Sequence, residues 1–360
     1  MSFDAVVVGA GAMGSALAGK LSARGLTVMV CDPRQPRRDA TWAAAGMLCA
    51  QAEAAEPGPF LDLLLAAEER WSELAGRFDY QKQGALHVAL SEEERAELIE
   101  QREWQRQSGL PVDFLEPEET RRLEPGLGPD IAGANFFARG GQVDNRALVS
   151  GFLAEAVGAG AVLRVGEVDR IVVEAGAFRA VVVGGERIDA GLAVVAAGAW
   201  SSRIAGLGLA ADAVVPVRGQ LLAYAVEPPP ITRAVFGGGG YLLPRHGDRC
   251  IAGTTMERVG FESGVTTEGC VLLERRAHRL CPALDGVPVA ESWAGLRPAT
   301  ADGLPALGPT PIEGLHLAVG LFRNGILLAP LASELVTRAI FGDGSAIPAP
   351  FAAARLFEAS

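Results

Sequence analysis

The sequence predicts an α/β protein in which a Rossmann-type dinucleotide-binding domain is interleaved with a second, β-sheet-containing (α+β) domain. A buried strand at Phe3–Val8 runs directly into Gly9-Ala10-Gly11-Ala12-Met13-Gly14 and a helix. Alternating strand and helix patterns open the chain, a strand and a long helix close it, and a β-rich stretch from Val214 to Thr254 lies between. The length of 360 residues is generous for one core and sufficient for two.

Each element follows from its local pattern. Ala5-Val6-Val7-Val8 is the apolar run of a strand buried on both faces. From Gly11 to Arg24 the apolar residues Ala16, Leu17 and Leu21 share a helix face, and Gly25 stops the helix. Leu26–Cys31 is the second strand, ending at Asp32, and a loop with Pro33, Pro36 and several arginines follows. A helix starting near Thr41 and Trp42 leads into Ala43-Ala44-Ala45-Gly46-Met47. Helices are expected over Phe60–Arg77, Glu92–Gln107 and Asn145–Ala159, with a strand at Gly84–Leu90. Strands are expected at Ala161–Val165, Val168–Glu174, Phe178–Val183, Leu192–Ala197, Gly219–Val226, Gly240–Pro244 and Cys250–Ala252. Cys270–Cys281 reads as a helix, His316–Val319 as the last strand and Gly325–Phe341 as the last helix. Pro228–Pro230 reads as a surface turn. The expected boundaries are 1–80, 141–215 and 291–345 for the dinucleotide domain, 81–140 and 216–290 for the second domain, and 346–360 for a tail.

Composition narrows the functional class. Hydrophobic residues make up 49% and charged residues 21%, as in an ordinary globular protein. A net charge of −11 disfavours nucleic acid and anionic membrane surfaces as partners. No apolar run approaches the roughly 20 residues that span a bilayer, and no signal peptide precedes the first strand, so a cytoplasmic location is expected. The cysteines Cys31, Cys49, Cys250, Cys270 and Cys281 have neither zinc-ligand nor redox-pair spacing, and no metal is expected.

The glycine fingerprint has a mechanism. Gly9 permits the tight turn, Gly11 lets backbone approach a pyrophosphate, and Gly14 lets helix pack on strand. The helix N-terminus, with Ala12 and Met13, offers N–H groups and the positive end of a dipole. About 20 residues on, Asp32 is placed to accept from ribose hydroxyls. This constellation alone leaves FAD and NAD both open.

Later segments carry a resemblance that separates them. Thr41-Trp42-Ala43-Ala44-Ala45-Gly46-Met47-Leu48 is similar to the flavin-facing segment of the glycine oxidase group in the D-amino-acid oxidase superfamily. Glu291–Pro298, with Trp293-Ala294-Gly295-Leu296-Arg297-Pro298, and Phe322–Pro330 resemble two further elements of that family. Tyr241–Arg245, Val217–Gln220 and Ala196–Ser201 resemble its intervening segments, so the likeness spans nearly the whole chain in order. It implies non-covalent FAD, contacted at Gly9, Gly11, Ala12, Met13, Gly14, Asp32, Pro33, Ala40, Thr41, Ala45, Gly46, Met47 and Val168. It extends those contacts to Leu321, Phe322, Arg323, Asn324, Gly325, Ile326 and Leu327, which wrap the flavin ring. It implies that Arg297 holds a substrate carboxylate with Arg323, Tyr241 and Met47 nearby, and that the protein is a homo-oligomer, a tetramer in the family's pattern. The implied reaction is oxidation of glycine or another small amine, with O2 reoxidising the flavin to give peroxide. A link to the thiazole branch of thiamine synthesis belongs to the same resemblance.

The chemistry suits these residues. The cofactor accepts the hydride, so the protein needs no strong base and no catalytic side chain is assigned. A planar guanidinium fixes a carboxylate in position and angle, where lysine fixes only charge. His87, His246, His278 and His316 share no spacing and no acidic partner in sequence and are expected to be structural or exposed. Asp302 is expected in a turn near the flavin. Gly237-Gly238-Gly239-Gly240 stands where the family often has a histidine, a departure that bears on substrate preference and suggests a looser entry to this strand. Cys281 is the nearest cysteine by position for covalent flavin attachment, which is not expected. The alternatives are a flavin dehydrogenase passing electrons to a quinone or carrier, a non-catalytic nucleotide-binding protein, and an NAD dehydrogenase.

Overall fold

A computed structural model describes residues 2–34, 39–245, 247, 249–342 and 347–357. Pro36 and His246 therefore lie outside the described residues. Two eight-stranded sheets organise the molecule. In the first, Leu315–Val319, Glu186–Val195, Phe3–Val8, Val28–Asp32 and Val162–Val165 run parallel in that order. Phe3–Val8 thus lies between its sequence neighbour Val28–Asp32 and the distant Glu186–Val195. Chain order reverses at this point, and α/β sheets bind ligands in the crevice beyond the strand ends there. Ala306–Pro309 adds an antiparallel edge, while Ala177–Val183 and Val168–Glu174 form an antiparallel extension on Glu186–Val195.

The first helix, Ala12–Ala23, buries Leu17 and Leu21 as its pattern implies. It ends in a Schellman-type closure. Gly25 takes a φ of +89°, and the Leu26 amide donates back to the Leu21 carbonyl at 3.3 Å. The last helix, Gly325–Ile340, packs on the first, and the two share one apolar core with Trp71, Leu148 and Phe152.

The second sheet runs Val289–Ala299, Val215–Ala225, Arg249–Gly253, Gly240–Arg245, Ala234–Gly237, Ala85–Ala89, Gly133–Phe137, Asp113–Leu115. Its pairs are antiparallel except Ala234–Gly237 with Ala85–Ala89. The helices Thr267–Leu280 and Glu92–Gln107 lie against it.

Three differences from the sequence expectation have physical reasons. Residues from 291 on were expected with the dinucleotide domain, but Val289–Ala299 pairs along its length with Val215–Ala225 in the second sheet. Glycine and proline within Val289–Ala299 hide its strand character from a propensity reading. The four glycines at 237–240 form no loose entry. Gly237 pairs with Gly240 around the two-residue turn Gly238-Gly239, whose φ angles of +55° and +75° are those of a tight hairpin. Asp302 lies in a turn but outside the cavity, paired with Arg355 at 2.8 Å. The described part of the expected tail packs back, with Phe351 buried and Ala352 bridged to Leu307.

Candidate active site

A cavity of about 1380 Å³ runs from the C-terminal edge of the first sheet to the face of the second. It exceeds the roughly 300–1,000 Å³ of a drug-sized ligand site, as a dinucleotide plus a small substrate requires. Every residue expected at a site lines it except Gly14. Gly14 lies beneath, where a Cβ would overlap the Gly9 carbonyl and push the helix off the strand.

The glycine turn is pinned by acceptors. Asp32 Oδ2 accepts from the Ala10 amide at 2.8 Å and Oδ1 from the Arg34 amide at 2.7 Å. Asp32 therefore shapes the turn besides facing the cavity. Thr41 Oγ1 accepts from the Ala12 amide at 3.1 Å, bringing segment 39–47 against the helix start. The N-terminal turn of Gly325–Ile340 also lines the cavity, so two helix N-termini offer positive dipole ends to it.

Segment 41–46 is held by its carbonyls. Asn145 Nδ2 donates to Thr41 O at 2.8 Å and Trp42 O at 2.9 Å, and Trp293 Nε1 donates to Ala43 O at 2.9 Å. The Arg245 guanidinium donates to Ala45 O and, at 2.9 Å, to Val143 O, while the Val143 amide donates to Gly46 O. Gly46 takes a φ of +83°, and a Cβ there would overlap the Val143 carbonyl. The small-residue segment is thus fixed from behind, with the carbonyl oxygens of Thr41, Trp42, Ala43, Ala45 and Gly46 occupied by protein donors. Asn145, Arg245 and Trp293 were not singled out for this task, because a long-range bond to a carbonyl leaves no local sequence mark.

At the second sheet, Arg297 projects from Val289–Ala299. Its Nη2 donates to Thr254 Oγ1 at 2.7 Å and its Nη1 to Thr255 O at 3.2 Å. Space for the guanidinium comes from Gly219 on the neighbouring strand, where any Cβ would overlap it. Gly253 clears the Tyr241 ring in the same way. Burial lowers the Arg297 pKa, with nearby Tyr241 opposing. Burial pushes the Tyr241 hydroxyl up to about 12, against the pull of Arg297, so at neutral pH it is a neutral donor. Arg323 is exposed and pairs with Glu53 at 3.0 Å. Met47 lines the same region half-buried. Phe322 takes a left-handed φ of +45°, and its amide donates to Pro298 O at 2.9 Å, tying loop 321–325 to the Arg297 strand. Glu53, Thr254, Gly219 and Gly253 complete this end. The glycines escape a sequence search because their contribution is room.

The remaining titratable groups stand apart. Cys31 and Cys49 line the cavity, but burial pushes the Cys31 thiol up to about 12 and the Cys49 thiol well above its usual value. Cys281 is buried in the second sheet's core beside Leu280 and Leu284. His87 stacks on Phe236 with ring centroids 4.5 Å apart, and half-buried His278 does meet a carboxylate, Asp285, at 3.7 Å.

The residues present fit a flavin dinucleotide. The glycine turn, two helix N-termini and a rigid small-residue segment line one continuous cavity that ends at an arginine. The family of FAD dependent oxidoreductases matches residues 4–339, and the chain belongs to it. It is an FAD-dependent oxidoreductase of the glycine oxidase type. It is 33% identical to a glycine oxidase of Bacillus licheniformis, over 95% of this chain and 94% of that protein. The crystal structure of glycine oxidase from Geobacillus kaustophilus superposes with a TM-score of 0.92 at 33% identity, covering 98% of this chain and 99% of that one. A bifunctional ThiO/ThiG protein of Synechocystis sp. (strain ATCC 27184 / PCC 6803 / Kazusa) is 35% identical over 93% of this chain, which spans only 51% of that longer protein. Among the described residues no helix is long and apolar enough to cross a membrane.

Proposed function

We propose that the protein oxidatively deaminates glycine and other small amines such as sarcosine and small D-amino acids. Amino acid, water and O2 give oxo acid, ammonia or amine, and H2O2. The observation that carries this reading is Arg297. Its guanidinium is held by two threonine oxygens at the end of the cavity and forms no ion pair with a carboxylate among the described residues. Such a cation is suited to a substrate carboxylate, which it grips through parallel hydrogen bonds.

Bound FAD supplies the hydride acceptor for Cα. The chain's own part is placement. Gly9, Gly11, Ala12, Met13, Asp32, Pro33, Ala40, Thr41 and Val168 hold the dinucleotide, and Ala45, Gly46, Met47 and 321–327 hold the ring. Arg297 fixes the carboxylate, and the neutral Tyr241 hydroxyl donates beside it. Arg323, restrained by Glu53, closes the other side. We assign FAD binding chiefly to the first sheet and substrate recognition to the second.

Kinship with glycine oxidases supports O2 as acceptor and a homo-oligomer, and kinship with the ThiO half of ThiO/ThiG supports use of the imine in thiazole formation for thiamine. The test is direct. The purified protein should be yellow, form peroxide with glycine or sarcosine, and lose carboxylate affinity in Arg297→Ala. A flavin-containing protein that makes no peroxide with any amine, yet reduces a quinone, would transfer the reading to a dehydrogenase.

A further inference from the structure

Arg297 is not the only guanidinium at the substrate end of the cavity. Arg276, on the helix Thr267–Leu280, lines it too. Its Nη1 donates to the carbonyl of Thr254 at 3.4 Å, and Arg297 Nη2 donates to the side chain of that same residue at 2.7 Å. Two cations therefore flank one threonine, one from a helix and one from a strand, and Tyr241 pairs with Gly253 just before that threonine.

The carboxylates nearby are engaged or distant. Glu53 pairs with Arg323 at 3.0 Å. Glu257 is bound by Arg218 and accepts from Gln220 at 2.7 Å. Glu268 lines the cavity from the same helix, but its position eight residues earlier is roughly 12 Å along the axis. Among the described residues Arg276 has no carboxylate within ion-pair distance.

The glycine hairpin makes this arrangement possible. A Cβ on Gly239 would come within 3.2 Å of Arg276 Nη2, and one on Gly240 within 3.5 Å of its Cδ. A side chain at 239 would press on the end of the guanidinium, and one at 240 would lie in van der Waals contact along the Arg276 stem. With glycine at both positions the guanidinium faces the cavity, half-buried and with donors to spare.

We propose that the site takes an amino acid carrying a second carboxylate, the α-carboxylate on Arg297 and the second on Arg276. This rests on the oxidase reading above and names its substrate class. The second carboxylate is carried either on the amine nitrogen, as in iminodiacetate, or on the β-carbon, as in D-aspartate.

Two unreactive ethers test the contact on the flavin-containing protein. Diglycolate has two carboxylates and methoxyacetate has one. Calorimetry, with the visible flavin spectrum in parallel, should show diglycolate binding about tenfold or more tightly, the worth of one charge-assisted contact. Arg276→Gln should bring that ratio close to one, and Arg276→Lys should keep part of it. Equal affinities for the native protein, or a ratio untouched by Arg276→Gln, would overturn the proposal. In turnover, iminodiacetate is compared with sarcosine and D-aspartate with D-alanine. A gain in kcat/KM for either dicarboxylate supports the proposal and locates the second carboxylate, whereas no gain for both overturns it. Peroxide from glycine without any dicarboxylate preference removes only this inference. No turnover of any amine removes the oxidase reading, while the ether ratio still reports on Arg276.

Discussion

Arg297 illustrates how a single side chain acquires a role through what its neighbours omit. The guanidinium fits because residue 219 has no Cβ, and its orientation is set by Thr254 and Thr255. Gly219→Ala leaves charge and backbone class intact yet displaces the guanidinium. Steady-state kinetics should show kcat/KM for carboxylate substrates reduced by about 10²-fold, the scale of a 1 Å misplacement. An unchanged value would mean that the guanidinium position does not matter. Tyr241 offers a complementary pH test. Its hydroxyl is pushed up to about 12 by burial, so its proton stays on throughout the assayable range. The alkaline limb of kcat/KM between pH 8 and 10.5 should therefore have the same midpoint in Tyr241→Phe as in the native protein. An alkaline limb lost in the variant would assign that limb to Tyr241.

At the scale of elements, the turn from Phe3–Val8 into Ala12–Ala23 depends on a carboxylate from the next strand. Asp32→Ala removes acceptors from two backbone amides at once. Each charge-assisted bond is worth about 1.5–3 kcal/mol. Flavin fluorescence on dilution should show FAD affinity weakened by at least about tenfold, with far-UV circular dichroism retained. Full retention of FAD would reduce Asp32 to a bystander. This turn was legible in the sequence because its parts are local: strand, glycines, helix and an acidic residue at fixed spacing. Arg297 was legible because its neighbours form a recognisable run. The clamp on 41–46 was not, since Asn145, Arg245 and Trp293 lie about 100 to 250 residues away and bind backbone rather than side chains. That Val289–Ala299 is a strand of the second sheet was not legible for the same reason: its pairing partner is nonlocal, and its own glycine and proline give no strand signal.

For the molecule as a whole, stability should depend on pH through His316, in the strand Leu315–Val319 of the first sheet. Burial holds its imidazole at about 4, against 6.5 in an unfolded chain. Between these values the unfolded state binds a proton that the folded state does not. Stability therefore rises with pH across this window, by at most about 1.4 kcal/mol per unit for this group. Denaturant midpoints at pH 7 and pH 5 should lie closer together in His316→Gln than in the native protein. An unchanged spacing would exclude this histidine as a source. Removal of FAD should lower the thermal midpoint, because a ligand bound only to the folded state stabilises it in proportion to RT ln(1 + [L]/Kd).

The bond from Trp293 to Ala43 has an optical consequence. This indole, only 6% exposed, belongs to the second sheet but donates to the segment that lines the first sheet's cavity. Its emission should report whether the two halves are joined and what lies beside residue 43. Energy transfer to a yellow chromophore would darken it, and stripping the chromophore would restore it. Trp293→Phe should remove part of that recovery, the rest coming from nearby Trp42 and the cavity-lining Trp200. The molecule thus carries its own lamp at the seam between its parts, readable in a cuvette without any attached dye.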